Sequence, residues 1–475
     1  MNRYKKLFSN TVILAFGTFG SKLLVFLLMP LYTYLLSPAE YGTAELISGT
    51  ANLIMPLACV GITNGIFRFA AERGSDREKV FSSGLALTFI GLCATLLIGI
   101  PVAIFSSYRT ETWLILLYIL SADMQAVCAQ YVRAIDRTRL FALQGILNTM
   151  FTISLNLLFL MVFKMGVTGY VLSVIVGNLL TILFLTVTAK LWKVFSFRKV
   201  DKTTVSELLR FSLPMIPTTI CWLITDLSDR YLVTYFRGEA ENGIYSAAYK
   251  IPSIVNLASG IFMQAWQFSA VSEMEDEKAC RRFYSEVFRG FLSIVFIGSG
   301  ILILLSRVFT RLLLNATYHE AWRYMPTLLC AAALESVVSF LATVYMVRKK
   351  TLHSFFTAMT GTILNVILNI LLIPDYGALG AAIATLIGYG AVLLLRLWDA
   401  PRYIGFGRCI PRQAVSIALL LGAAGVMTFD VPHRLIWCGG LVAALFAINA
   451  VALWKGVQSL LRFRNQKSEI EEKIK

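Results

Sequence analysis

The chain alternates between long apolar stretches and short polar segments from one end to the other. Each apolar stretch is about 18–27 residues long, and at 1.5 Å per residue a helix of that length crosses a hydrocarbon core of ~30 Å. The pattern therefore predicts fourteen transmembrane helices, at residues 10–36, 41–66, 81–105, 112–132, 141–163, 166–189, 211–236, 243–268, 289–313, 322–347, 353–373, 377–398, 413–430 and 434–454.

The Lys and Arg residues fall almost entirely into alternate gaps between these stretches. Of the 43 basic residues, 33 lie in the N-terminal segment and in every second gap after it. Because cytoplasmic segments of membrane proteins carry the excess of Lys and Arg, this pattern predicts that both termini are cytoplasmic. The basic residues predicted on the outer side are Arg109, Lys164, Arg237, Arg307, Arg311, Arg323 and Arg434.

The composition fits a chain whose solvent is the bilayer. Hydrophobic residues make up 57% of the 475 residues, and the net charge of +16 is spread over short cytoplasmic segments. That distribution favours orientation in the membrane and attraction to anionic lipid headgroups over binding of nucleic acid. The cysteines and histidines lack metal-ligand spacing, so the sequence predicts no metal site and no cofactor.

Two short motifs recur in the second half of the chain. Gly166-Val-Thr-Gly169 matches Gly377-Ala-Leu-Gly380, and Tyr41-Gly42 matches Asn242-Gly243. Two six-span halves share one orientation and form a parallel repeat. The predicted organisation is an N-terminal six-helix lobe at 1–189, a cytoplasmic linker with an interfacial helix at 190–210, a C-terminal six-helix lobe at 211–398, and two additional helices with a cytoplasmic tail at 399–475.

Two kinds of local signal refine this organisation. Thr204 and Glu207 have the spacing of a capping box, so we place the start of the linker helix there. Proline removes a backbone donor and bends a helix, so kinks or breaks are predicted in spans one, two, seven and eight, at Pro30, Pro56, Pro214, Pro217 and Pro252.

Ionisable residues inside the spans are candidates for function, because each costs about 2.5–3.5 kcal/mol on insertion scales. Those near the middle of a span, or on span seven, are Lys22, Asp123, Asp226, Asp229, Arg230 and Glu335, and those nearer an outer end are Glu45 and Lys250. Asp226 and Arg230 are four residues apart and could instead neutralise each other. For Glu45 and Lys250 a simple role at the membrane interface is equally open.

Further motifs connect the chain to a known family. These are Leu36-Ser-Pro38-Ala-Glu-Tyr41-Gly42, Leu227-Ser-Asp229-Arg230-Tyr231, Gly243-Ile-Tyr245-Ser-Ala-Ala-Tyr249-Lys250-Ile251 and Lys349-Lys350-Thr351. With them the chain resembles the prokaryotic polysaccharide transporters, the oligosaccharide flippases of the superfamily that also contains multidrug and toxin extrusion antiporters. The resemblance implies an all-α polytopic membrane protein with the multidrug-and-toxin-extrusion-like fold, located in the cytoplasmic membrane of a bacterium.

The resemblance also implies a function. It is the translocation of an undecaprenyl-diphosphate-linked oligosaccharide by alternating access, for O-antigen, capsule or exopolysaccharide assembly, with a polysaccharide polymerase and glycosyltransferases as partners. A diphosphate needs cationic contacts in a cavity of low dielectric constant, and Lys22, Arg230 and Lys250 can supply them. Asp123, Glu335, Asp226 and Asp229 are the candidates for binding a coupling proton or cation.

Three other classes were compared with this one. A multidrug or small-solute antiporter of the same superfamily would use the buried carboxylates to bind cationic substrates. A lipid II flippase shares the fourteen-span plan but uses several Arg residues in its cavity, where this chain offers Lys22, Arg230 and Lys250. An enzyme of glycosyl transfer is disfavoured, because the sequence predicts no large outer loop with clustered catalytic groups.

Overall fold

The protein, described here by a computed structural model, forms two compact units, Met1–Ser246 and Ala247–Lys475. The structure describes residues 28–72, 75–213, 216–272, 277–347, 350–402 and 410–450, and these residues form helices and short connections without a strand. The predicted all-α fold is therefore confirmed. In the first unit the helices are α1 (Met29–Leu35), α2 (Pro38–Ala58), α3 (Ile62–Ala71), α4 (Arg77–Phe105), α5 (Arg109–Ala134), α6 (Thr138–Asn156), α7 (Gly166–Ala189), α8 (Leu191–Val194), α9 (Lys202–Ser212) and α10 (Ile216–Arg237).

The second unit continues in the same way after α11 (Glu239–Tyr249), within which the division between the units falls. Its helices are α12 (Pro252–Ser272), α13 (Glu277–Leu304), α14 (Ser306–Leu313), α15 (Met325–Val347), α16 (Thr351–Asp399), α17 (Ile410–Thr428) and α18 (Arg434–Ala450). The predicted limits of the two lobes and of the linker stay predictions.

Several of these helices are long and apolar enough to cross a membrane. Among the described residues seven meet that condition, and the bent pair α2 and α3 makes an eighth. The chain is thus a multi-pass membrane protein, while the count of fourteen spans stays a prediction. One of the seven, α16, consists of two helices, because Gly377 inside it has non-helical backbone angles.

The predicted interruptions at Pro56 and Pro252 are present. The axes of α2 and α3 meet at 53° across the break that follows Ala58. Val60 and Gly61, at that break, both have positive φ angles. The second interruption separates α11 from α12 at Lys250 and Ile251, directly before Pro252. In both cases the proline lies next to the break, as its missing backbone donor leads one to expect.

The two copies of the repeated glycine motif adopt a similar local conformation. Gly166 and Gly377 both have positive φ angles, of 55° and 58°. Glycine adopts positive φ angles without the steric cost that a Cβ brings, which favours it where the chain turns into the next helix. The similarity supports the correspondence between the two halves that the sequence motif suggested.

Two local predictions were wrong. The linker helix α9 starts at Lys202 rather than after Thr204, because the side chain of Asp201 accepts a hydrogen bond from the backbone N–H of Thr204. The hydrogen bond from the hydroxyl of Thr203, followed by those from the backbone N–H and the hydroxyl of Thr204, lowers the pKa of Asp201. Predicted span nine, 289–313, is also not one helix: α13 ends at Leu304, and α14 is a separate amphipathic helix.

Candidate functional site

A buried ion pair joins α2 and α10 in the first unit. Nη1 of Arg230 lies 3.1 Å from Oε2 of Glu45, and the two side chains are 17% and 6% exposed. Removing one partner of such a pair leaves an uncompensated charge in a poorly solvated place and costs about 3–5 kcal/mol. The partner of Arg230 in this conformation is therefore Glu45, and not Asp226, which shares its helix.

Tyrosine side chains surround this ion pair. The hydroxyl of Tyr170 donates a hydrogen bond to Oε1 of Glu45 at 3.3 Å. The rings of Tyr32 and Tyr170 pack edge to face with their centroids 4.9 Å apart, and Tyr41 packs against both rings. The amide of Asn156 donates to the hydroxyl of Tyr32 at 3.0 Å. Both oxygens of Glu45 are thus hydrogen-bonded, and its position is fixed from α7 as well as from α10.

Two further carboxylates lie near Arg230 on α10. Asp229 is buried, and its Oδ2 accepts a hydrogen bond of 2.7 Å from the hydroxyl of Tyr245. Asp226 is exposed, and it interacts electrostatically with Arg230 and Asp229 without forming an ion pair among the described residues. Glu45, Asp226 and Asp229 carry three formal negative charges around the one positive charge of Arg230. The described part of this site is consequently rich in acid.

The beginnings of α2 and α11 approach each other through two glycines. A Cβ on Gly42 would lie 2.3 Å from the carbonyl oxygen of Glu239, and one on Gly243 would lie 1.8 Å from that of Pro38. Each glycine therefore packs against the carbonyl four residues before the other glycine. The amide of Asn242 also donates to the carbonyl of Gly42 at 3.2 Å. These positions belong to the repeated motif Tyr41-Gly42 and Asn242-Gly243, so equivalent parts of the repeat contact each other reciprocally.

Asp123 lies in α5 and is buried, with 1% of its surface exposed. Within the described part of the chain neither of its carboxylate oxygens has a hydrogen-bond partner. The thiol of Cys59, at the break between α2 and α3, interacts with it. Met124, the next residue along α5, packs against an apolar cluster that includes Ala58, Leu92 and Ile119. A buried carboxylate in such surroundings is stable only when a proton or a metal cation neutralises it.

The remaining predicted site residues lie apart from this group. In the second unit Lys250 is half-buried at the break between α11 and α12. Glu335 on α15 accepts a hydrogen bond of 2.7 Å from the amide of Asn256 on α12. Lys22 lies outside the described residues. The first unit thus brings together Arg230, Asp226 and Asp229 with Glu45, whereas Asp123 lies on α5 and interacts with Cys59.

The second unit contains an apolar cavity of about 570 Å³ between α13, α15, α16 and α17. Its walls are almost entirely hydrocarbon, and Gln413 is the polar side chain among its lining residues. Gln413 is buried, and in the described structure neither its amide nitrogen nor its amide oxygen has a partner. Gly390 lines the same cavity with open space beside it. A second apolar cavity, of about 510 Å³, lies between α4, α5 and α7 of the first unit.

Sequence reasoning missed two parts of this arrangement. Glu45 was assigned no specific partner, because Arg230 lies 185 residues away and only the fold brings the two together. Gln413 was overlooked because an amide near the end of a predicted span is common. A signal for Glu45 was nevertheless present, since it is the one carboxylate within the apolar part of span two.

Comparison with known structures defines the fold class. A lipid II flippase, MurJ, in an inward closed conformation is 15% identical over 95% of this chain and 99% of that chain, with a TM-score of 0.68. An inward-facing multidrug resistance MATE family transporter of the MOP superfamily is 15% identical over 86% of this chain and 99% of that one, with a TM-score of 0.63. A MOP superfamily transporter from Pyrococcus furiosus, described as having a binding pocket of reverse polarity, is 14% identical over 87% and 96%, with a TM-score of 0.56.

The protein thus has the fold of the MOP superfamily, as the sequence predicted. Residues 7–272, more than half of the chain, match the family model described as polysaccharide biosynthesis protein, and the chain belongs to that family. No curated protein sequence matches it significantly. The family resemblance seen in the sequence is confirmed.

Proposed function

We propose that the protein is a flippase that moves an undecaprenyl-diphosphate-linked oligosaccharide across the cytoplasmic membrane of a bacterium by alternating access. The product serves assembly of O-antigen, capsule or exopolysaccharide, together with a polysaccharide polymerase and glycosyltransferases. Both termini lie in the cytoplasm, as the distribution of Lys and Arg favours. Membership of the polysaccharide biosynthesis family supports this proposal, as does the fold shared with a lipid II flippase.

The observation that carries the proposal is the apolar cavity of the second unit. A lipid-linked substrate must keep its isoprenoid chain in apolar surroundings while its polar head crosses the protein. A cavity of about 570 Å³ with hydrocarbon walls fits part of such a chain. The unpartnered amide of Gln413 fits a polar atom where the chain meets the head, because a buried amide without hydrogen bonds is costly. A transporter of small water-soluble solutes has no need of such a cavity.

Filling this cavity tests the proposal directly. We expect Gly390→Leu to lower export of the lipid-linked oligosaccharide about tenfold, because burying an added isobutyl group would displace several methylene groups of the lipid, each contributing ~0.8 kcal/mol. The assay measures flipping of a fluorescent lipid-linked oligosaccharide in proteoliposomes. A Cβ at Gly390 meets only the distant Cδ1 of Leu334, so the protein should fold normally.

Gly425→Leu is the matched control, since Gly425 on α17 also has open space around it and does not line the cavity. Equal flipping by the wild type and by both variants would contradict the proposed role of the cavity. Equal loss of flipping in both variants would also contradict the proposed role of the cavity, because it would show that a larger side chain impairs flipping at either position.

The diphosphate requires cationic contacts, and we propose Lys22, Arg230 and Lys250 for them. In the described conformation the charge of Arg230 is compensated by Glu45. For a diphosphate to bind there, Glu45 must release the guanidinium, and protonation of Glu45 provides the means. The pair would then act as an exchange site, where the carboxylate and the substrate phosphate alternate as partners of Arg230.

A double variant separates this role from a structural one. Arg230→Gln alone should destabilise the protein by about 3–5 kcal/mol, because it leaves Glu45 buried without its partner. Arg230→Gln with Glu45→Gln removes both charges and should restore thermal stability. We expect flipping to stay lost in the double variant while its melting temperature returns to the wild-type value. Recovered flipping in the double variant would show that the pair is only structural.

A cation-coupled antiporter of multidrug or small-solute type is the second candidate. The observation that favours it is the excess of acid around Arg230, where Glu45, Asp226 and Asp229 give a net negative site. Such a site attracts organic cations rather than a diphosphate. Uptake of a cationic dye into proteoliposomes, unaffected by Gly390→Leu, is the result expected from this alternative.

A further inference from the structure

A group of arginines lies at one end of the second unit, on the side that the sequence predicts to be outside. Its members are Arg307 and Arg311 on α14, Arg323 in the turn Ala316–Arg323, and Arg434 at the start of α18. We call these four residues the outer arginine cluster. Four of the seven basic residues predicted on the outer side thus belong to one site. Basic residues are disfavoured there, so their concentration needs a physical reason.

The four guanidinium groups are close enough to influence one another. Arg307 interacts electrostatically with Arg311 and Arg323, and Arg434 interacts with Arg307 and Arg311. One carboxylate, that of Asp430, lies among them. Its Oδ1 is 2.7 Å from Nη2 of Arg307 and also pairs with Arg434. The cluster with Asp430 therefore keeps a formal charge of +3.

Two of the arginines remain available for a ligand. Arg311 and Arg323 are exposed and form no ion pair among the described residues. Nε of Arg307 is shielded from water and, within the described part of the chain, donates to no acceptor. The guanidinium of Arg307 lies 3.6 Å from the ring centroid of Trp322, and that of Arg323 lies 5.9 Å from it. The indole thus holds the first guanidinium in place, while Nη2 of the same group pairs with Asp430.

Apolar side chains beside the cluster indicate where the ligand resides. Val308 and Leu312 on α14 are 49% and 71% exposed. An eight-residue amphipathic helix that exposes arginines and large aliphatic side chains is suited to the boundary between headgroups and acyl chains. Arginine binds phosphate through paired N–H groups and is the residue of choice for phosphate recognition.

From this arrangement we infer that the outer arginine cluster binds the phosphate group of a lipid headgroup, with the lipid chain against Val308 and Leu312. Its placement on the outer side rests on the proposed topology and function, whereas its affinity for lipid phosphate does not. In the proposed flippase it is the place where the diphosphate of the translocated lipid is held before release.

Cross-linking with a photoactivatable phosphatidylglycerol in proteoliposomes tests the inference. The yield is measured on peptides that contain residues 306–323, so lipids bound to cytoplasmic Lys and Arg are counted separately. Arg311→Gln with Arg323→Gln should lower that yield about tenfold, since it removes the charge-assisted hydrogen bonds that two guanidinium groups can donate to the phosphate. Arg109→Gln is the matched control, because Arg109 is an exposed arginine of the predicted outer side that lies outside the cluster.

A second variant gives an effect of opposite sign. Asp430→Asn frees Arg307 and Arg434 and should raise the cross-linking yield severalfold, although it removes two ion pairs from the fold. If the cluster has only a structural role, Asp430→Asn should lower the stability of the protein without raising the cross-linking yield. An unchanged yield in both the Arg311/Arg323 variant and Asp430→Asn would overturn the inference.

Competition identifies the source of the phosphate. Geranylgeranyl diphosphate should suppress the cross-link at about a tenth or less of the concentration required for inorganic diphosphate, because only the former adds apolar contact. Equal potency of the two compounds would contradict a lipid ligand and assign the cluster to free phosphate. Since the readout is binding, failure of the flipping assay with Gly390→Leu leaves this result unaffected.

Discussion

Gly243→Ala is expected to prevent the beginnings of α2 and α11 from meeting. Its Cβ would lie 1.8 Å from the carbonyl oxygen of Pro38, and backbone atoms cannot rotate away as a side chain can. Overpacking of this kind costs about 1–3 kcal/mol, which corresponds to a roughly 5- to 150-fold loss in the population of the closed contact. If closing this contact is a required step of transport, flipping should fall by the same order.

The contact itself can be measured by disulfide formation. Thr43 on α2 donates a hydrogen bond of 3.0 Å to Glu239 on α11, so cysteines at these two positions should cross-link in a background without native cysteines. Adding Gly243→Ala should abolish that cross-link. Gly260→Ala is the control, because a Cβ there meets nothing and alanine favours the helix. A cross-link that forms equally well with Gly243→Ala would show that the glycine contact does not control closure.

Features that depend on local sequence were predictable. The helical fold follows from apolar stretches of membrane-spanning length, and the breaks beside Pro56 and Pro252 follow from the missing backbone donor of proline. The relation between Tyr41-Gly42 and Asn242-Gly243 was also visible in the sequence. Its structural consequence, two glycines that each pack against the other's segment, required the fold.

Features that depend on distant partners were not predictable. Arg396 lies near the end of the predicted span 377–398, and in the structure it is completely buried. Its guanidinium donates to the carbonyl of Val338 at 2.6 Å, to Ser354 and to the hydroxyl of Thr357. Neutral acceptors from α15 and α16 thus hold it, and no sequence pattern indicates such a set. The same holds for the outer arginine cluster, whose members are separated by up to 127 positions in the sequence.

The mid-span carboxylates Asp123 and Glu335 illustrate the difference between position and environment. Both lie at similar depth in the predicted spans four and ten, so the sequence predicts the same role in coupling for both. Glu335 accepts a hydrogen bond from Asn256, whereas the oxygens of Asp123 have no partner in the described structure. A polar group left unsatisfied reduces stability by about 1–3 kcal/mol. Asp123 therefore lowers the stability of the fold, whereas Glu335 does not. A role in function is for this reason a stronger hypothesis for Asp123 than for Glu335.

We propose that Asp123 binds the coupling ion and that a proton fits it better than a metal ion. Metal cations such as Ca²⁺ take six or more oxygen ligands, whereas the side chain that interacts with the carboxylate of Asp123 is the thiol of Cys59. The nearby carbonyls of Pro56 and Leu57 already accept backbone hydrogen bonds. Loss of the proton would create a charge beside the break between α2 and α3, and a change in that bend would let water reach it.

This hypothesis predicts opposite effects on stability and on transport. Asp123→Leu removes an unsatisfied polar group and should raise the free energy of unfolding by about 1–3 kcal/mol, while flipping driven by a pH gradient is lost. The measurements are thermal unfolding of the purified protein and flipping in proteoliposomes with and without the gradient. Glu335→Gln is the comparison, because it keeps an acceptor for Asn256 and should alter neither property strongly. Gradient-driven flipping that survives Asp123→Leu but not Glu335→Gln would move the coupling site to the second unit.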